Sequence, residues 1–178
     1  SATKFFEHFV LIAEALNELG LWCPDDKFFY DVLTRPGSSP LLMRIQSVVG
    51  LTSLFAVSII DKKVMNALPD FARRSSWFEK YRKKHNKYWP NEERAEDEKT
   101  LVSLIAKDRL ISLLERMLSE MEFLSDGGIR ALSKFHETQP YKVTIDGTEY
   151  AIQYDPGDST SDFFGGNSNW RGPVWMPI

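Results

Sequence analysis

Cysteine is nearly absent from this sequence, and its scarcity limits the covalent chemistry open to the chain. Cys23 is the only cysteine among 178 residues, so no disulfide can form within the chain. A protein without disulfides fits a reducing compartment. We therefore expect a cytoplasmic protein in which Cys23, beside Trp22, acts as a small buried hydrophobic residue.

Long uninterrupted apolar runs are missing as well. The longest apolar stretch near the middle, from Val48 to Ile60, contains Gly, Thr and Ser and is too short to span a bilayer. The apolar residues near the N-terminus are broken by Lys4, Glu7 and Glu14 at helical spacing, which is unlike a signal peptide. We expect no membrane partner.

Neither sign of charge is in large excess, which argues against a polyanionic partner. The formal net charge is −3, and no recognisable nucleic-acid-binding module accompanies the basic residues. We expect no nucleic-acid partner. Basic residues do cluster at the end of one predicted helix, where we interpret them as a solvated face: Arg73, Arg74, Lys80, Arg82, Lys83 and Lys84.

The motifs of several common chemistries are also lacking. A zinc site is not expected, because there is a single cysteine and because His8, His85 and His136 show no ligand spacing. No serine lies in a strand–turn–helix elbow, and no glycine-rich loop precedes a helix. We expect neither a metal nor a cofactor.

Helical periodicity dominates the rest of the sequence. Apolar residues recur at spacings of three and four over several stretches. Alternating residues around Asp146-Gly147 predict a β-hairpin, and a further short strand is predicted at 100–105. The pattern favours a mainly α fold of about five helices plus a small β-hairpin near 143–154. The predicted helical ranges are 3–19, 46–60, 61–67, 70–84 and 107–121.

Aromatic residues are plentiful, at 13 % of the chain, and many stand in three loops of similar chemistry. These loops, 22–31, 122–133 and 158–175, each combine an aromatic ring with a carboxylate or an arginine. Sugars are bound by stacking on Trp or Tyr and by hydrogen bonds from Asp, Arg and Asn. A structural alternative remains, in which Asn and Gly hold turns and the indoles close the core.

The ordered set of motifs resembles glycoside hydrolase family 63, the processing α-glucosidase-like proteins, and a bacterial and fungal subgroup of its relatives. The resemblance covers essentially the whole chain, and its most specific part is Asn-Trp-Arg-Gly-Pro-Val-Trp. The segments that carry it are Leu21-Trp22, Phe28-Phe-Tyr-Asp31, Arg44, Gly50-Leu51, Leu54-Phe-Ala56, Glu122-Phe-Leu-Ser-Asp-Gly-Gly-Ile-Arg-Ala-Leu-Ser133 and Phe164-Gly-Gly-Asn-Ser-Asn-Trp-Arg-Gly-Pro-Val-Trp175.

This resemblance implies a fold and a site. The fold would be an incomplete segment of an (α/α)6 toroid, with residues 1–178 forming a single piece of a six-hairpin catalytic domain truncated at both ends. An inverting enzyme uses a general acid and a general base, and both would lie outside this chain, so the segment alone would be inactive. The expected substrate-binding residues, for an oligosaccharide or glucoside, are Trp22, Asp31, Arg130, Asn169, Trp170, Arg171 and Trp175.

Two further expectations follow from the partial barrel. A nearly all-apolar helix at 46–60 would be an inner helix, and without its neighbours it would expose Val48, Leu51 and Phe55 on a face that favours self-association. The alternative to a glycosidase segment is a helical carbohydrate- or protein-binding module without catalytic activity.

Overall fold

The structure is a computed structural model, and it describes residues 2–90 and 99–155 together with the backbone of Val174–Trp175. About 42 % of these residues are helical and 25 % lie in strands. In chain order the elements are α1 (Ala2–Glu18), β1 (Trp22–Cys23), β2 (Phe28–Phe29), β3 (Asp31–Leu33), β4 (Leu41–Met43), a 3₁₀ helix (Val48–Phe55), β5 (Val57–Asp61), α2 (Lys62–Ala67), α3 (Pro69–Lys84), β6 (Lys99–Ser103), α4 (Lys107–Met117), β7 (Leu124–Ser125), β8 (Gly128–Arg130), α5 (Phe135–Thr138), β9 (Tyr141–Ile145), β10 (Thr148–Ile152) and β11 (Val174–Trp175).

The strands pair into small antiparallel sheets. Four sheets have two strands each, namely β1–β2, β3–β4, β5–β6 and β9–β10, and a fifth has three strands in the order β11-β8-β7. The chain therefore has a mixed α and β fold, and the prediction of a mainly α segment of an (α/α)6 toroid is wrong. Many of the short strands lie in Gly- and Pro-rich stretches that the sequence pattern had assigned to loops.

The predicted helix at 46–60 is wrong for a local reason. The structure divides this range into the 3₁₀ helix and β5. Strand β5 is rich in β-branched residues, which favour strands, and it pairs with β6. Val48 and Leu51 are buried, whereas Phe55 and Ile59 are exposed. The expected inner helix with a fully apolar surface does not exist, although part of the range does present apolar side chains to solvent.

The other predicted elements agree better with the structure. The expected helices at 3–19, 70–84 and 107–121 correspond to α1, α3 and α4, the last ending earlier than expected. The strand at 100–105 corresponds to β6, and the hairpin corresponds to β9 and β10. Asp146 and Gly147 form its turn at φ of 51° and 83°, the left-handed conformation that a two-residue hairpin loop requires.

The chain divides into two compact units, each built from two separate stretches of sequence. The first contains Ser1–Leu21 and Ser53–Leu110, and the second contains Trp22–Thr52 and Ile111–Ile178. Trp22, Asp31 and Arg130 all belong to the second unit.

The first unit is organised around helices α1 and α3. Phe6 meets the ring of Phe71 edge-on at 5.7 Å and that of Trp89 at 5.8 Å between centroids. Arg82 on α3 is buried and forms an ion pair of 2.8 Å with Glu14 on α1. The interpretation of Arg82 as part of a solvated basic face is therefore wrong.

The core of the second unit has two centres. Phe28 is fully buried and stacks on Phe123, with 5.8 Å between ring centroids and 13° between ring planes. A second cluster joins Leu132 to Ile152 and Tyr154. These two centres hold the hairpins that carry the candidate site.

Candidate functional site

Two of the three loops that we expect to contact sugar meet in the three-stranded sheet. Strand β8, within loop 122–133, pairs antiparallel with β11 at the end of loop 158–175. Val174 lies opposite Arg130, and Trp175 lies opposite Ile129. Residues far apart in sequence are thus brought together, as a shared binding site would require.

The guanidinium of Arg130 is engaged by its own chain. Its Nε donates to the hydroxyl of Tyr154 at 3.2 Å, and Nη1 donates to the carbonyls of Glu120 at 3.0 Å and Glu122 at 3.3 Å. Nη1 also donates to the carbonyl of Leu124, and the group lies over the Tyr154 ring at 5.9 Å. Arg130 thus closes the turn before β7 and ties it to Tyr154.

Trp22 and Asp31 lie in consecutive hairpins of the same unit. Trp22 pairs with Phe29 across β1 and β2, and their rings meet edge-on at 4.8 Å between centroids. Asp31 pairs with Met43 at the start of β3 and is exposed to solvent. An exposed carboxylate and a half-buried indole both keep surface available to a ligand.

The remaining predicted site residues cannot be placed in the same way. Asn169, Trp170 and Arg171 lie outside the described residues, and Trp175 is described through its backbone pairing. Their assignment to a sugar site stays a prediction from sequence.

Arg116 on α4 links the first loop to the second. Its Nη1 is 3.1 Å and 3.0 Å from the two carboxylate oxygens of Glu122, and its Nη2 donates to the backbone carbonyl of Asp26. The same guanidinium lies over the ring of Phe28 at 5.4 Å. One partly buried arginine therefore fixes the turn of the β1–β2 hairpin.

Asp26, Tyr30 and Gln46 form a polar cluster beside that turn. The buried hydroxyl of Tyr30 is hydrogen-bonded to the side chains of Asp26 and Gln46. Burial, and then the nearby Asp26 carboxylate, raise the pKa of Tyr30 far above its ordinary value of 10.0. Tyr30 therefore keeps its proton and donates it in a hydrogen bond to Asp26, whose carboxylate also lies 3.8 Å from the guanidinium of Arg44.

The backbone of Gln46 is held on both sides. Its N–H donates to Nε2 of His136 at 2.9 Å, and its carbonyl accepts from the N–H of Ser133 at 2.8 Å. Nδ1 of His136 lies 3.0 Å from the carbonyl of Gln139, so the network assigns the proton to Nδ1. Burial lowers the pKa of His136 below its ordinary 6.5, and with both ring nitrogens occupied this histidine has a structural role.

Sequence reasoning missed this polar cluster. Arg44 and Tyr30 fell within the motifs of the resemblance but were not assigned as site residues. Asp26 follows Asp25 directly, and nothing in the sequence distinguishes the two carboxylates. Gln46 carries no motif, and its role becomes visible only when the chain brings residues 44–48 beside 131–136.

Residues 2–90 and 99–155 contain neither a grouped set of metal ligands nor a membrane-spanning helix. In that part of the chain no three His, Cys, Asp or Glu side chains are grouped as a metal site requires. Among the same residues, every helix is too short or too polar to cross a bilayer.

Comparison with known proteins gives a relative but no activity. No family model matches the chain, and no solved structure matches it. The uncharacterized protein YMR196W of Saccharomyces cerevisiae (strain ATCC 204508 / S288c) is 38 % identical over 194 residues, covering 99 % of this chain and 18 % of the yeast protein. The chain thus spans less than a fifth of the length of that relative.

Proposed function

We propose that this chain contributes sugar-contacting residues to a glycoside hydrolase of the inverting, α-glucosidase-like kind. The observation that supports this proposal best is the pairing of β8 with β11, which joins the loop 122–133 to the end of the Asn-Trp-Arg-Gly-Pro-Val-Trp motif. Both segments carry the resemblance, and the Asn-Trp-Arg-Gly-Pro-Val-Trp motif is its most specific part. The proposal rests on their side-chain chemistry and does not depend on a toroidal fold.

The residues on these loops suit a pyranose ligand. A pyranose offers apolar C–H faces to an aromatic ring and hydroxyls to carboxylates, amides and guanidinium groups. Trp22 and Asp31 belong to the same compact unit as the β8–β11 pair. Since an inverting enzyme needs two carboxylates on opposite faces of the scissile bond, we assign its acid and base to residues outside 1–178.

Binding is tested first, with maltose and methyl α-D-glucopyranoside as probes. We expect the chain to bind maltose weakly, and Trp170→Ala and Arg171→Ala each to weaken that binding about tenfold or more, since the first removes a stacking ring and the second a charge-assisted hydrogen bond. Trp77→Ala is the matched control, because Trp77 is an exposed tryptophan on α3 in the other unit. Equal losses for Trp77→Ala and Trp170→Ala would contradict the proposal.

Catalysis is tested separately from binding. The chain alone should release no glucose from maltose or kojibiose. A longer protein that carries this chain should release glucose, with the β-anomer appearing first by ¹H NMR, because inversion at an α-linkage gives that product. Binding without hydrolysis by such a protein would instead favour a carbohydrate-binding module without catalytic activity.

The proposal includes a cytoplasmic location. A single cysteine that is buried fits a reducing compartment. Cell fractionation with an antibody to the chain tests this, and recovery from a secreted or organellar fraction would refute it.

A further inference from the structure

We propose that Asp26 and Arg44 form a subsite for neighbouring hydroxyl groups of the sugar, with Tyr30 as the residue that positions Asp26. This inference rests on the proposed sugar-binding function and adds residues that the sequence motifs did not assign.

The two charged groups are close but not hydrogen-bonded to each other. The Arg44 Nη1 lies 3.8 Å from the Asp26 carboxylate, and the side chains are 52 % and 29 % exposed. A hydrogen bond needs a separation of about 2.7–3.2 Å, so the guanidinium and the carboxylate keep bonding capacity toward a ligand. Adjacent hydroxyls can donate to such a carboxylate and accept from such a guanidinium.

Asp26 is fixed at both its side chain and its backbone. Tyr30, a residue 4 % exposed, donates to the carboxylate, while Arg116 donates to the backbone carbonyl. Arg116 is itself held by Glu122 at 3.0 Å. An ordinary surface ion pair lacks such support, and a fixed carboxylate loses less conformational entropy when it binds a ligand.

Arg44 is fixed at its backbone by a tyrosine hydroxyl. The hydroxyl of Tyr141 is hydrogen-bonded to the backbone of Arg44 and lies 3.8 Å from the sulfur of Met43. The half-buried ring of Tyr141 packs against the Leu132 cluster, so this hydroxyl anchors Arg44 to the core of the unit. A carboxylate and a guanidinium held side by side form a common pair of contacts for sugar hydroxyls.

Gln46 has a buried side-chain oxygen without a hydrogen-bond partner, which is a separate observation in favour of a ligand. This residue is 5 % exposed, its side chain bonds to Tyr30, and its Oε1 is buried without a hydrogen-bond partner. Leaving a buried acceptor unpaired is unfavourable, so such atoms usually await a water molecule or a ligand. A water molecule or ligand hydroxyl that entered the cluster would satisfy it.

The subsite is tested by ¹H–¹⁵N NMR titration of the chain with maltose. We expect saturable shifts at residues 24–30 and 44–46. Asp26→Asn and Arg44→Gln should each weaken maltose binding about tenfold or more, because each removes a charge-assisted contact. Arg35→Gln is the matched control, since Arg35 pairs with Asp146 at 2.8 Å in the same unit and should leave affinity within about twofold.

Tyr30→Phe tests the positioning role. We expect an intermediate loss of affinity and a changed carboxylate chemical shift for Asp26, with thermal unfolding measured beside it to show that the chain still folds. Arg44→Gln keeps the test decisive if a variant of a buried residue fails to fold, because Arg44 is half-exposed.

The outcomes separate this inference from the proposed function. If Asp26→Asn and Arg44→Gln bind maltose like the parent while Trp170→Ala does not, the pair is a surface ion pair only and the inference is refuted, whereas sugar binding stands. If the parent chain shows no shift with maltose, both proposals are refuted.

Discussion

Gly50 is a position where one added methyl group should damage the second unit measurably. A Cβ at residue 50 would lie 2.3 Å and 2.5 Å from two ring carbons of Phe28 and 2.6 Å from the backbone oxygen of Phe29. Carbon atoms in contact prefer about 3.5–4.0 Å, so an atom must shift by more than 1 Å.

The surroundings leave Phe28 little room to move. Its ring stacks on Phe123 at 5.8 Å, lies under the guanidinium of Arg116 at 5.4 Å and contacts Tyr30 at 5.3 Å. Overpacking costs about 1–3 kcal/mol, and we expect Gly50→Ala to reach the upper end of that range. For a chain of this size that corresponds to a fall in Tm of roughly 6–12 °C.

Urea unfolding with a double-mutant cycle checks the reasoning. Phe28→Leu removes the obstructing ring atoms, so Gly50→Ala in that background should cost at least about 1 kcal/mol less than in the parent. Gly147→Ala is the control for backbone strain alone, because Gly147 has φ of 83° and nothing within 4 Å of an added Cβ. A Gly50→Ala chain within about 0.5 kcal/mol of the parent would refute the steric argument.

Two further predictions concern buried charge. The pKa of His136 is lowered in the folded chain, so the folded state favours the neutral ring. The contribution of His136 to the free energy of unfolding should be full above pH 6.5 and be lost as the pH falls below that value. Urea unfolding between about pH 5 and 8 should show this pH dependence, and His136→Gln should remove it. Glu14→Gln should cost about 3–5 kcal/mol, because it leaves Arg82 as an uncompensated buried cation. Glu79→Gln, which breaks the exposed 2.8 Å pair with Lys83, should cost under about 0.5 kcal/mol by the same measurement.

Local sequence signals predicted the elements whose causes are local. The β9–β10 hairpin follows from alternation around Asp146-Gly147, two residues that tolerate positive φ. Helices α1 and α4 follow from apolar spacing. By contrast, the range 46–60 is mostly apolar and has no decisive period, so helix and strand could not be separated. The close approach of Phe28 to Gly50 depends on residues far apart in sequence.

The chemistry of the candidate site was predictable from the sequence, but the identity of all its residues was not. Aromatic and charged loops indicated sugar contacts, and the structure joins two of those loops through β8 and β11. The sequence could not show that Arg130 is engaged by Tyr154 and nearby carbonyls, or that Asp26 rather than Asp25 meets Tyr30. Those distinctions depend on tertiary contacts, which one sequence does not record.

The interleaving of the two units limits how this segment can be divided by recombination. Each unit takes one part of its chain from before Ser53 and another from after it. A single genetic crossover anywhere in the segment would therefore divide at least one unit between the two parent sequences, and neither unit could be exchanged as one continuous piece. During synthesis, the first unit must wait for residues up to Leu110, while Trp22–Thr52 must wait for the residues that follow Ile111. The early part of the second unit is thus exposed to chaperones until most of the segment has left the ribosome.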